Sequence, residues 1–213
     1  MILKSDGDKK DSQKLGWSSW KEVLLSTDLQ CITLLHATFW TTSSGAMFTL
    51  LPLLATQDFG LSATALGGLF ALMAGINVLG SQPFAILSDR FGRKWTLVPG
   101  TLLMAVAVAS VPLASTQPQL VSLLVLWGIG GSMLGTTPSA YVADVTSNAT
   151  RTQGLALLRA AGDFGLMLGA SLLGITAELF GIPFAMGANA CVLAGVSLLF
   201  AWRAREPRNI PKQ

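Results

Sequence analysis

The chain has 213 residues, of which 12% are charged and 51% are hydrophobic. Soluble globular domains carry about 25% charged residues, so this composition excludes an ordinary water-soluble fold and favours membrane-spanning helices. The net charge of +3 does not indicate a nucleic-acid binder, because the basic residues lie in short clusters between apolar tracts.

The first stretch of the chain mixes lysines with acidic residues and lacks an apolar core. This pattern matches neither a secretory signal nor an Arg-rich transit peptide. We therefore predict a cytoplasmic tail over residues 1–28. Trp17 and Trp20 are placed to anchor the first membrane span at the interface.

Six mostly apolar tracts follow, separated by short polar or charged breaks. Each is long enough to cross a bilayer, which takes about 20 residues. We therefore predict an all-α polytopic membrane protein, with a transmembrane domain over residues 29–203 and a cytoplasmic tail over residues 204–213. The predicted spans are 30–56, 62–88, 95–115, 119–143, 152–177 and 180–202.

The basic residues predict the orientation of the chain. When the breaks are assigned alternately to the two faces of the membrane, all 14 Lys and Arg residues fall on one side. The opposite breaks hold only Asp58 and Glu178 as charged residues. Because cytoplasmic loops carry the excess of Lys and Arg, we predict that both termini are cytoplasmic.

The break between the second and third spans is a tight basic loop with the sequence DRFGRK over residues 89–94. A loop this short makes the two helices antiparallel neighbours, and its glycine permits a sharp turn. The sequence here resembles the major facilitator superfamily, whose signature reads G-x-x-x-D-R-x-G-R-R/K. Ala85 stands where that family usually has glycine.

The resemblance implies a gating role for this loop. In the family, the charged residues of the signature latch two six-helix halves together in the outward-open state. The alternative is that Arg90, Arg93 and Lys94 serve only to keep this loop on the cytoplasmic side, as the positive-inside rule describes. The residues to which the resemblance assigns gating are Asp89, Arg90, Gly92, Arg93 and Lys94.

The resemblance extends along the whole chain and implies half of the family's fold, with six helices arranged as two inverted three-helix repeats. The segment from Tyr141 to Asp144, followed by Arg151, is similar to the fourth-to-fifth helix region of either half. The charged tail before the first span is similar to the start of a C-terminal half. Proton-coupled drug antiporters of the family carry an arginine four residues before a glycine of the fourth helix. Leu124 occupies that position before Gly128 here, so this subclass is disfavoured.

Arg159 and Asp163 lie one helical turn apart inside the fifth predicted span, on one face and close enough to pair. A charge at this depth is costly and usually faces a cavity or a partner. Asp163 is therefore either a substrate- or proton-binding group or, paired with Arg159, a charge at the interface between two halves.

Polar residues recur at helical spacing in the first and fourth predicted spans. In family members these helices line the central cavity, so the resemblance makes the residues cavity or coupling candidates. His36 titrates near neutrality and is a candidate proton relay, with a hydrogen bond between helices as the alternative. The candidates are His36, Trp40, Ser43 and Ser44 in the first span and Trp127 and Thr136 in the fourth.

Two pairs of glycines are spaced four residues apart, Gly131 with Gly135 and Gly165 with Gly169. This spacing is typical of close helix packing in membranes, because small residues let the backbones approach. We therefore predict tight helix crossings at both pairs.

These observations predict transport of a small solute by alternating access, with another six-helix half as partner, either a second copy or a different chain. A truncated, non-transporting membrane subunit with an assembly or regulatory role is the alternative. We expect no enzyme activity, since His36 lacks the motif of an intramembrane protease. We also expect no cofactor, no metal and no nucleic-acid partner. Besides a second six-helix half and the solute, the expected partner is membrane lipid. Few ionisable groups lie inside the spans, which favours an uncharged, zwitterionic or amphipathic solute.

Overall fold

A computed structural model describes residue 17 and residues 20–207, which are helical apart from short turns and contain no strand. The parts of the two predicted tails at residues 1–16, 18–19 and 208–213 lie outside the described residues. The longer helices are α1 Thr27–Thr42, α2 Leu51–Gln57, α3 Ala63–Phe91, α4 Lys94–Ser110, α5 Gln117–Leu134, α6 Thr137–Val145, α7 Arg151–Phe180 and α8 Ile182–Arg203.

Within the part of the chain that the structure describes, five helical segments are long and apolar enough to cross a membrane. They are α3, α4 with a 3-10 extension to Leu113, α5 together with α6, α7, and α8. They correspond to the second to sixth predicted spans and confirm an all-helical, multi-pass membrane protein.

The first predicted span is helical but is not one regular α-helix. Between α1 and α2, the segment Ser43–Leu50 is π-helical, and the Leu51 N–H donates to the carbonyl of Ala46, five residues earlier. The three pieces have 16, 8 and 7 residues, so none is by itself long enough to span a bilayer. The apolar pattern predicted the helix but not this change in its winding.

Polar side chains and glycines set the ends of the helices. The Ser26 hydroxyl accepts from the Leu29 N–H at 3.5 Å, and the Ser62 hydroxyl accepts from the Ala65 N–H at 3.2 Å. These contacts satisfy backbone donors that have no partner inside the first turn. Gly181, with φ of +88°, separates α7 from α8 by a single residue, which makes the two helices antiparallel neighbours.

The most extensive contacts of α1 are with α7 and α8, and those of α5 are with α3 and α4. The predicted close packing of α7 is confirmed, because a Cβ added at Gly165 would lie 2.1 Å from the Ala37 carbonyl oxygen. At Gly169 it would lie 2.4 Å from the Thr41 carbonyl oxygen. The same prediction is wrong for Gly131 and Gly135, where the nearest atoms to an added Cβ would lie at 3.4 and 3.5 Å, which are ordinary contact distances.

The buried apolar side chains form two clusters, one towards each end of the bundle. One cluster includes Val23, Tyr141, Phe200 and Ala204 and lies beside the α3–α4 loop, at the end that we call the basic end. The Tyr141 and Phe200 rings pack edge to face there, with their centroids 5.2 Å apart. Val23 belongs to the short helical stretch over residues 20–25, so part of the predicted tail packs against the bundle.

Candidate functional site

Arg93 is the centre of a charged cluster at the basic end. Its Nε donates to Asp144 Oδ2, at the end of α6, at 2.8 Å. Its Nη1 pairs with the Asp89 carboxylate and lies 3.4 Å from the Ser88 hydroxyl. One side chain therefore joins the end of α3 to the end of α6, which the sequence separates by more than 50 residues.

The charge of Arg93 is secured by these contacts. Burial acts to lower its pKa, but the hydrogen bond to Asp144 and the charges of Asp144 and Asp89 outweigh burial, so the pKa lies above its usual value. The guanidinium therefore stays protonated at every physiological pH. The cluster therefore does not open through loss of the Arg93 charge.

Gly92 occupies a position that other residues would strain. Its φ is +114°, and an added Cβ would lie 2.9 Å from the carboxyl carbon of Glu206. Its N–H donates to the Ser88 carbonyl at 3.0 Å and closes the last turn of α3. Both the backbone conformation and the nearby carboxylate therefore require glycine here.

The ends of α4 and α8 cap each other. The two carboxylate oxygens of Glu206 accept from the N–H groups of Arg93 and Lys94 at 2.9 and 3.0 Å, at the start of α4. Lys94 Nζ donates to the carbonyl oxygens of Ala201 and Ala204, at the end of α8, at 2.6 Å each. Each charge sits where the helix dipole favours it, an anion at an N-terminus and a cation at a C-terminus.

Residues 204–207, which follow α8 and which we call the C-terminal strap, are also held from the opposite side. The Arg205 N–H donates to Asp28 Oδ1 at 2.7 Å, in the first turn of α1. The Tyr141 hydroxyl donates to the Arg205 carbonyl oxygen at 2.8 Å. The strap is therefore fixed by α1, the α3–α4 loop and α6 together.

Arg90, in the same loop, stacks on the neighbouring Phe91 ring. Its guanidinium is 5.7 Å from the centroid of the Phe91 ring, and both side chains are exposed at the end of α3. The loop thus brings Asp89, Gly92, Arg93 and Lys94 into one network, while Arg90 stacks beside it.

A second polar group lies where α1 crosses α7. Trp40 Nε1 donates to His36 Nε2 at 3.1 Å, which leaves the proton of the neutral ring on Nδ1. Nδ1 is buried and has no hydrogen-bond partner among the described residues. Gly162 lets α7 approach this pair, since an added Cβ would lie 2.8 Å from the Trp40 ring.

Next to Gly162, α7 carries Arg159 and Asp163, whose Nε and Oδ1 atoms are 3.7 Å apart. The two side chains are 84% and 66% exposed. The predicted pairing is therefore present, but it is loose and open on one side. His36, Trp40, Arg159 and Asp163 together present a neutral imidazole, an indole and an ion pair at one seam between α1 and α7.

Of the other cavity candidates, Ser44 faces α7 farther along the same contact, since a Cβ added at Gly169 would lie 3.0 Å from the Ser44 Cβ. Ser43 and Ser44 are buried in the π-helical segment, where the Ser43 hydroxyl donates to the Phe39 carbonyl at 3.0 Å. Trp127 is buried in an apolar cluster of the core, whereas Thr136 is exposed between α5 and α6.

Sequence reasoning missed two acids of the basic end, Asp28 and Glu206. Both partner backbone N–H groups more than 100 residues away, and no local pattern marks such a pair. The one available signal for Glu206 is its position as the single acid after α8, among several arginines.

Comparison with known proteins identifies the family to which the chain belongs. The profile of the Major Facilitator Superfamily matches residues 29–213. Multidrug resistance protein 1 of Bacillus subtilis (strain 168) is 29% identical over 157 residues, covering 73% of this chain and 40% of that protein. Multidrug resistance protein 2 of the same bacterium is 30% identical over 143 residues, covering 66% of this chain and 35% of that protein. A probable vesicular acetylcholine transporter-B of Danio rerio is 30% identical over 154 residues, covering 68% of this chain and 31% of that protein.

The chain spans between 31% and 40% of the length of these three relatives. The family profile, in contrast, covers most of the chain. It includes α1 apart from its first two residues, the helices α2 to α8, and the loop around Arg93. The predicted family is therefore confirmed. The chain belongs to the Major Facilitator Superfamily, whose members are membrane transporters rather than enzymes.

Proposed function

We propose that this chain forms one six-helix half of a transporter and moves a small solute by alternating access together with a second six-helix unit. The observation that carries the proposal is the exposure of two membrane helices. In their most apolar stretches only 6% of α3 and 22% of α7 is buried, against 39% to 56% for the other candidate spans. A second unit would cover these faces.

The run Thr27–Gln57 acts as the first of six spans in this proposal. It is helical from end to end, and its 31 residues reach about 46 Å at 1.5 Å per residue, more than the roughly 30 Å hydrocarbon core. The widened winding of the π-helical segment does not expose its backbone, because Ser43, Ser44, Gly45 and Ala46 are all buried.

The packing order supports two inverted three-helix repeats. The first span contacts the fifth and sixth through α7 and α8, and the fourth span contacts the second and third through α3 and α4. Exchanging the first three spans with the last three converts one set of contacts into the other. The third and sixth spans, α4 and α8, contact each other and are exchanged by the same operation.

The basic end is the cytoplasmic end in this proposal. It holds Arg90, Arg93 and Lys94 together with Arg203 and Arg205 at the end of α8, as the positive-inside rule requires. With an even number of spans, both ends of the six-helix unit are cytoplasmic, and two such units can lie parallel in one membrane. The Arg93 cluster and the strap then face the cytoplasm.

Polar groups on the two exposed helices lie at matching depths. Gln82 is nine residues from the basic end of α3, or about 14 Å, while Arg159 and Asp163 are eight and twelve residues from that end of α7, or about 12 and 18 Å. Gln82 is exposed and has no hydrogen-bond partner among the described residues. In a parallel pair with α3 of one unit against α7 of the other, Gln82 reaches the Arg159–Asp163 pair of its neighbour.

The seam of His36, Trp40, Arg159 and Asp163 is the candidate solute or coupling site. Trp40 offers an aromatic surface, Asp163 an acceptor, Arg159 a donor and His36 Nδ1 a further buried donor. This combination suits a zwitterionic or amphipathic solute. The names of the relatives, two multidrug resistance proteins and a probable vesicular acetylcholine transporter, agree with a small organic solute.

Pairing is tested by crosslinking in membranes. In a background with Cys31 and Cys191 replaced by serine, one tagged copy carries Gln82→Cys and a differently tagged copy carries Asp163→Cys. We expect a bifunctional maleimide to join the two tags. Leu198→Cys, on the exposed face of α8, serves as the matched control and should give no joined product.

Transport is tested separately on the purified chain in liposomes, by uptake of labelled organic cations and zwitterions. Crosslinking accompanied by uptake supports the whole proposal. Crosslinks to an unrelated protein without uptake would instead support a non-transporting subunit with an assembly or regulatory role. If the two tags are not joined and no uptake is measured, the pairing of two copies is refuted.

A further inference from the structure

The outer surface at the basic ends of α4 and α8 carries two large exposed aromatic side chains. Trp95, in the first turn of α4, is 72% exposed, and Trp202, in the last turn of α8, is 79% exposed. The two helix ends are tied by the Lys94 side chain, which reaches the carbonyls of Ala201 and Ala204. Two tryptophans therefore flank one junction at the level where a membrane interface favours them.

Two guanidinium groups lie at the same junction. Arg203 and Arg205 are exposed, while Ala204 between them is buried. The Arg203 guanidinium is 5.7 Å from the centroid of the Trp202 ring. Neither arginine forms an ion pair among the described residues.

The nearby acids are occupied by other donors. Both oxygens of Glu206 accept backbone N–H groups of the α3–α4 loop, and Asp28 accepts the Arg205 N–H. These contacts also fix the backbone on which the two arginines stand. The backbone that carries the two arginines is thus fixed, and among the described residues neither guanidinium group donates a hydrogen bond, so both can bind an anion without first losing a partner.

We propose that Arg203 and Arg205, with Trp202 and Trp95, bind the headgroup of an anionic glycerophospholipid of the adjoining leaflet. The phosphate lies against the two guanidinium groups, and the indoles take the level of the glycerol backbone. The acyl chains lie on the outer face of α4 and α8, where Val106, Val192 and Leu198 are more than half exposed. A soluble phosphate would use the arginines but would leave these apolar surfaces uncovered.

This inference does not depend on transport or on pairing, because the surface lies on α4 and α8 rather than on α3 and α7. It is tested with the full chain in vesicles of phosphatidylcholine containing a minor, constant fraction of phosphatidylglycerol. Bromine, which quenches tryptophan fluorescence on contact, is carried either by the phosphatidylglycerol or by an equal amount of phosphatidylcholine. Stronger quenching by the brominated phosphatidylglycerol measures selectivity for the anionic lipid.

We expect Arg203→Gln to reduce this selectivity by about fivefold, the factor that one basic residue near an anionic surface contributes. Trp202→Phe should remove a large part of the selective quenching while leaving the charge in place. Arg151→Gln removes one cation elsewhere on the basic end and should leave the selectivity unchanged. Circular dichroism and size-exclusion profiles establish that the variants are folded, and Arg203→Lys provides a milder change that should keep most of the selectivity.

Equal loss of selectivity in Arg203→Gln and Arg151→Gln would overturn the inference, because the effect would then be one of overall charge. Loss of selectivity on adding inorganic phosphate would also overturn it, since the site would then be one for soluble anions. Quenching that is equal for the two brominated lipids in the unaltered chain would show that no anionic lipid is selected.

Discussion

Replacing Glu206 by glutamine should loosen the basic end without disturbing the rest of the bundle. The carboxylate accepts two backbone N–H groups, from Arg93 at 2.9 Å and from Lys94 at 3.0 Å, at the first turn of α4. Hydrogen bonds to charged groups contribute about 1.5–3 kcal/mol each, and an anion at a helix N-terminus adds about 0.3–1 kcal/mol. Glutamine keeps one acceptor oxygen and loses the charge.

The net loss is smaller than the sum of those figures. Glu206 is only partly buried, so water replaces some of the lost interaction. We expect Glu206→Gln to lower the free energy of unfolding by about 1–2 kcal/mol, taking one weakened hydrogen bond and the helix-dipole term together. For a chain of this size this is roughly a 2–8 °C fall in Tm.

The chain offers its own reporter for this measurement. Cys31 is buried and Cys191 is exposed, so in a Cys191→Ser background a thiol-reactive fluorophore reports the unfolding that uncovers Cys31. Glu178→Gln is the matched control, because Glu178 is exposed and has no hydrogen bond or ion pair among the described residues. A Tm for Glu206→Gln within a degree of the control would refute the reasoning that the carboxylate holds the start of α4.

Of three further predictions, the first two use the same unfolding assay and the third is measured as the yield of folded protein. Gly92→Ala should destabilise the chain by about 1–3 kcal/mol, because Gly92 has a φ of +114° and the new Cβ would lie 2.9 Å from the Glu206 carboxyl carbon. The control Gly67→Ala, in open space on α3, should be neutral or stabilising. Arg93→Gln and Asp144→Asn should each destabilise the chain, and their double variant should do so by about 0.5–1 kcal/mol less than the sum; strict additivity would contradict a direct contact. Gly165→Ala should sharply reduce the folded yield, since its Cβ would lie 2.1 Å from a carbonyl oxygen of α1, while Gly174→Ala, with no atom within 4 Å, should fold normally.

The sequence was sufficient for features that depend on neighbouring residues. Apolar length predicted the spans, and the second to sixth were confirmed as helices long enough to cross a membrane. The DRFGRK loop predicted a tight turn and an ionic group, and the structure adds that Arg93 is its centre. Four-residue spacing likewise predicted a close helix crossing at Gly165 and Gly169, because that spacing puts both glycines on one helix face, and the structure adds that the partner is α1.

Features that depend on how distant segments meet were not predictable. Glu206 and Asp28 reach partners more than 100 residues away, so their role follows only from the packed bundle. The burial of Ser43, Ser44 and Trp127 depends on how each helix is rotated. A helix that is apolar on nearly every side gives no pattern from which that rotation can be read.

The contact between Arg205 and Asp28 brings the two ends of the six-helix unit together. The Arg205 N–H and Asp28 Oδ1 are 2.7 Å apart, although the two residues are 177 positions apart in the chain. A short linker can therefore join these ends, and the chain can be reopened in the α6–α7 loop at residues 147–149, which lies on the same side of the membrane in the proposed topology. Such a circular permutant places the last two spans before the first four while each span keeps its direction, which makes the unit a natural subject for permutation and for fusion in tandem.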